Sequence, residues 1–65
     1  MYTAEQTLAL FEKELRKCKV GKTGKINRTA FYNRFEACVN GLTLNGMDRA
    51  EAFKRANEVA AKFPH

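Results

Sequence analysis

Ala4, Leu8, Phe11, Leu15 and Cys18 recur at alternating intervals of four and three, and nowhere does the chain alternate apolar and polar residues as a strand would. Those intervals match the ~3.6-residue turn of an α-helix, so the five residues form one apolar stripe. Glu5, Glu12, Lys13, Arg16 and Lys17 fall elsewhere around the same cylinder. Thr3 and Gln6 supply a capping box at its start, the hydroxyl accepting an early backbone N–H while the amide reaches back. Glu12 and Arg16 add an i,i+4 ion pair of the favoured order. The pattern predicts a first helix over 4–18, closed before Gly21.

Two further helices follow from the same reasoning. Gly21 and Gly24 break the period, so 19–26 reads as a loop. Asn27 is a good N-cap, with Ile26 outside it as an apolar anchor. Phe31, Phe35, Cys38 or Val39, and Leu42 then keep helical spacing, which predicts a helix over 28–44. Gly41 offers an earlier stop after Asn40, but Leu42 stays in phase and favours the longer helix. Asp48 and Glu51 form a second capping box that opens a third helix over 48–63, with Phe53, Ala56, Ala60 and Phe63 on one face and Pro64 as its stop. Glu51–Arg55 and Glu58–Lys62 pair on its wet side. The turn Asn45-Gly46-Met47 is short enough to make helices two and three a tight hairpin.

The expected fold is therefore all-α, a small three-helix domain spanning 1–65. A chain of 65 residues buries only about 60 % of its unfolded surface, so its core is marginal. A hydrophobic content of 45 % with five Phe nevertheless argues for a core. Leu10, Val20, Tyr32 and Leu44 add apolar surface beyond the main seams. A loosely wrapped monomer would leave it exposed; a homodimer would bury it, and the excess favours the dimer.

The net charge is +5 and the sequence pI about 9.6, a balance that suits nucleic acid, anionic membrane or acidic protein as partners. Seven of the twelve Lys and Arg residues lie between Lys13 and Arg28, with Glu14 the one acid among them. Gly21-Lys22-Thr23 invites comparison with a phosphate-binding P-loop, but Arg16 occupies the place of that motif's first glycine and no strand precedes it. What remains is a basic loop whose glycines expose backbone N–H groups and whose lysines follow a phosphate backbone, or else a solvated loop rich in Lys because it is wet.

Ile26 to Phe35 reads Ile-Asn-Arg-Thr-Ala-Phe-Tyr-Asn-Arg-Phe. This decapeptide resembles the recognition-helix signature of TetR-type repressors: a small polar residue, an Ala-Phe-Tyr triplet and a later Phe. The resemblance implies that Asn27, Arg28 and Thr29 face a DNA groove and that Tyr32 meets the phosphate backbone. It departs from the family upstream, where Val20 to Lys25 carries two glycines in place of a compact helix and turn. Phe31 and Phe35 packing into a core at i,i+4 spacing accounts for the same residues.

Enzyme chemistry finds no kit. There is no Ser, His65 is the one histidine, and Cys18 and Cys38 lack ligand spacing, so no catalytic residue, metal or other cofactor is expected. Two cysteines do not make a secreted disulfide framework, and no apolar run is long enough for a membrane span, so a cytoplasmic location without a membrane partner is expected. The first functional reading is a nucleic-acid-binding accessory or regulator, contacting DNA or RNA through Arg16, Lys17, Lys19, Lys22, Lys25, Asn27, Arg28 and Tyr32. The alternative is a protein-interaction module, a small adaptor or inhibitor of the kind phages and prophages encode, docking through Phe31, Tyr32, Leu42 and Leu44.

Overall fold

Three helices carry the fold: α1 over Ala4–Lys17, α2 over Arg28–Leu44 and α3 over Arg49–Ala60, with no strand among the described residues. The computed structural model describes residues 2–18, 22 and 24–63. At the start of α1 both halves of the capping box form. Thr3 Oγ1 accepts the Gln6 N–H at 3.1 Å, and Gln6 Oε1 accepts the Thr3 N–H at 2.9 Å. The helix stops one residue short of the expected 18, because Cys18 turns to extended backbone (ψ 134°) and serves as the C-cap.

At α2, Asn27 Oδ1 accepts the Ala30 N–H at 3.2 Å, and the helix runs through Gly41 to Leu44. Its end is a Schellman motif. Gly46 takes φ +88°, which only glycine adopts without strain, and its N–H reaches Thr43 O at 3.0 Å while the Met47 N–H reaches Leu42 O at 3.2 Å.

Helix α3 departs from expectation at both ends. Asp48 is the N-cap but its carboxylate makes no capping bond, and Glu51 instead binds Arg55 Nε at 3.0 Å, so the second capping box does not form. The helix ends at Ala60 rather than 63, its last turn tightening into Lys62 N–H to Val59 O and Phe63 N–H to Ala60 O bonds. Pro64, itself outside the described residues, disfavours helical backbone at the residue before it. Because residue 62 has left α-geometry, the expected Glu58–Lys62 pair is replaced by a contact across the bundle, Lys62 Nζ to Glu12 Oε1 at 3.3 Å.

The helices pack up-down-up. Thr7 lies against Gly41, Phe11 meets Phe35 edge-on at 6.1 Å, and Glu14 approaches Arg34, so α1 and α2 run antiparallel. Phe35 also meets Phe53 at 5.7 Å, which ties α2 to α3, and the Lys62–Glu12 contact returns the end of α3 to α1. Leu15, Val39 and Leu42 are the largest wholly buried side chains. Ala52, Ala56 and Ala60 line the inner face of α3, where their small size lets the helix lie close to its neighbours.

Candidate nucleic-acid interface

Antiparallel pairing of α1 and α2 brings the end of α1, Lys22, the segment 24–27 and the start of α2 to one end of the bundle. Between Glu14 and Glu36 the sequence holds seven Lys and Arg residues and no acid. At ~100° per residue, Lys13, Arg16 and Lys17 occupy the side of α1 opposite Phe11 and Leu15, facing solvent. Lys17, Lys22, Lys25 and Arg28 are all exposed, and none pairs with an acid among the described residues. Arg16 is held by Glu12 at 3.6 Å. Lys19 lies outside the described residues, as do Val20, Gly21 and Thr23, so of the Gly21-Lys22-Thr23 motif only Lys22 is placed.

Helix electrostatics separates these cations into two kinds. Arg16 and Lys17 stand in the last turn of α1, where a positive charge offsets the carbonyl end of the helix dipole. That role accounts for them without a ligand. Arg28 stands at the opposite pole: it opens α2, whose first turn contains no acid, so a cation sits on the end already positive. The arrangement costs the fold about 0.3–1 kcal/mol and leaves an uncompensated positive field facing solvent.

Around Arg28 the surface is concave. Lys25, Ile26, Arg28, Phe31 and Tyr32 line an open groove of about 360 Å³. The Arg28 guanidinium lies 5.8 Å from the centre of the Tyr32 ring, the i,i+4 spacing that lets two side chains on one helix meet. Tyr32 is 54 % exposed and rests edge-on against Phe31, at 5.8 Å and 71°. Ile26 and Phe31 are buried and form the apolar floor. Ile26 and Phe31 as a floor escaped the sequence reading, although both stand beside the basic residues in the chain.

The remaining candidate residues divide. Asn27 spends its carbonyl oxygen on the α2 cap, which leaves only its amide N–H groups for a ligand. Arg34 folds back, Nη1 donating to Ala30 O at 3.3 Å, while its Nε, 3.9 Å from Glu14, has no hydrogen-bond partner. Phe31 and Leu42, two of the four residues read as a partner surface, are core residues at 6 % and 0 % exposure. A wide apolar stripe does not reveal which of its members face inward, and here these two do. Tyr32 and Leu44, the latter 77 % exposed, remain on the surface.

No helix precedes the TetR-like decapeptide at close range: Lys22 and 24–27 are non-helical, and α1 ended at Lys17. Both Phe31 and Phe35 pack inward, as the core reading of that segment requires. A scan of protein-family models and searches of curated proteins and solved structures find no match to this chain. Among the described residues no group of His, Cys, Asp and Glu is arranged to hold a metal ion, and no helix is long and apolar enough to cross a membrane. Among the described residues one titratable group is clearly displaced. Burial pushes the Cys38 thiol up to about 11, which makes it a weak nucleophile inside the core.

Proposed function

We propose that this chain is a small non-enzymatic nucleic-acid-binding module that grips phosphates with Lys17, Lys22, Lys25 and Arg28, with Arg16 beside Lys17. One observation carries the reading. Arg28 is placed on the positive pole of α2 beside Lys25, with no acid in the first turn of α2 and neither cation ion-paired among the described residues, an arrangement that weakens the fold and favours an anionic ligand. Arg16, Lys17 and Lys22 add to the same field at the same end of the bundle.

Fluorescence anisotropy with labelled oligonucleotides tests it. Each neutralised phosphate contributes about 0.9 to the slope of log affinity against log salt, so four contacts lower affinity about a hundredfold between roughly 50 and 200 mM. Absence of binding at the lower salt overturns the reading.

A second reading rests on the exposed apolar residues. Phe53 borders a groove between α2 and α3 with Tyr32, Phe35 and Arg49, and Leu44 stands free at the far end of α2. A second copy of the chain or another protein would cover them. Sedimentation equilibrium that returns a monomer at every concentration removes the homodimer version of this reading.

A further inference from the structure

Phosphate binding alone does not explain the shape of the groove at the start of α2. A phosphate ladder needs cations and N–H donors on an open surface. Here the cations border a concave site whose floor is Ile26 and Phe31 and whose wall is the exposed Tyr32 ring. Its volume of about 360 Å³ falls at the small end of the roughly 300–1,000 Å³ typical of small-molecule sites, room enough to admit a base. Tyr32 meets Phe31 at its edge and the Arg28 guanidinium 5.8 Å from its centre. A tyrosine ring, with two χ angles to fix, loses little entropy when a flat ligand stacks on it.

We propose that this groove takes an unpaired base, stacked on Tyr32 with its flanking phosphate on Lys25 and Arg28, so that the module prefers single-stranded nucleic acid to duplex. This rests on the phosphate-binding reading above and narrows it. In a duplex every base face is already covered by its neighbours, and the apolar part of the groove would gain nothing. In a single strand each base offers a face, and stacking on an aromatic side chain adds to the electrostatic attraction without demanding a sequence. Arg28 serves both parts, its guanidinium over the ring at 5.8 Å and its charge available to the phosphate.

The test uses anisotropy with four labelled probes of about 12 nucleotides, a length within the usual site size for such proteins: oligo-dT, oligo-rU, a duplex, and a strand of abasic deoxyribose phosphates. Oligo-dT or oligo-rU should bind about tenfold tighter than both the duplex and the abasic strand, which keeps the phosphates and lacks the bases. Tyr32→Ala should abolish that preference, bringing oligo-dT and oligo-rU down to the affinity of the abasic strand; Tyr32→Phe, which keeps a stacking face, should preserve it. Lys25→Gln and Arg28→Gln should weaken binding to all four probes. Circular dichroism of each variant verifies that it is folded. Equal affinity for all four probes with Tyr32→Ala inert, or tighter binding to duplex, overturns the stacking inference and leaves phosphate binding standing. Failure to bind any probe at low salt overturns both.

Discussion

A Cβ placed on Gly41 would stand 2.9 Å from Thr7 Cγ2, so the closest approach of α1 to α2 depends on a glycine in mid-helix. The glycine is not there for its backbone freedom, since α2 continues through it to Leu44. It is there because Thr7 cannot move aside: the side chain is β-branched, buried, and fixed by its hydroxyl donating to Thr3 O at 2.9 Å. Gly41→Ala should therefore destabilise the protein by about 1 kcal/mol, an overpacking cost of about 1–3 kcal/mol partly offset by the ~1 kcal/mol helical advantage of Ala. Thr7→Ser in the same chain removes the offending methyl, keeps the hydroxyl, and should restore the loss. Urea midpoints of the four proteins in this cycle decide it; a Gly41→Ala protein more stable than the parent contradicts the packing account.

Gly41 also shows where sequence reading stops. The stripe through Phe31, Phe35, Val39 and Leu42 made α2 legible, because an apolar period of ~3.6 is a property of one segment alone. The reason for Gly41 lies on another helix, so the segment itself left it as either a stop or an interior residue. Lys62 is the same case: its partner Glu12 is 50 positions away, and local spacing pointed to Glu58. At the candidate site the charges were legible and the i,i+4 relation of Arg28 to Tyr32 was available in the chain. That Ile26 and Phe31 would floor a groove between them was not, since its concavity depends on how Lys25 and Ile26 fold against the first turns of α2.

The two caps differ although both looked alike as sequence. Thr3→Ala removes the hydroxyl half of a box in which both bonds form and should cost about 1 kcal/mol. Asp48→Ala removes no hydrogen bond at α3, leaving only a charge near the helix N-terminus worth about 0.3–1 kcal/mol and sensitive to salt. Denaturant midpoints at low and high salt separate them: the Thr3 effect should persist in salt and the Asp48 effect should shrink.

Burial raises the Cys38 pKa from 9.0 to about 11, so the folded state favours the protonated thiol. The stability this contributes is complete below pH 9.0 and is lost as pH rises through about 11. Cys38→Ala has no such dependence. The stability gap between parent and variant should accordingly narrow, by up to about 2 kcal/mol, between about pH 8 and pH 10.5. In the native protein near neutral pH a thiol reagent should label half-buried Cys18 well before Cys38. A gap that stays constant with pH, or equal labelling rates, contradicts the burial of Cys38.

Glu12 is shared between Arg16 at 3.6 Å and Lys62 at 3.3 Å, and both cations are mostly exposed. Surface pairs of this kind contribute about 0–1 kcal/mol, so Glu12→Gln should change stability little. Its effect on binding should be larger and of opposite sense. Removing the carboxylate releases Arg16 and Lys62 and makes the local net charge one unit more positive at the end of the bundle where Lys17, Lys25 and Arg28 stand. Under the proposed function, affinity for an oligonucleotide at roughly 50 mM salt should rise a few-fold, and the salt slope should steepen by up to about 0.9 if one more phosphate is neutralised. Glu58→Gln is the matched control, because Glu58 carries the same charge and makes no ion pair among the described residues, so it releases no cation. Equal effects from the two substitutions would mean that net charge alone sets the affinity; a Glu12→Gln protein that binds more weakly than the parent would place the anion elsewhere on the molecule.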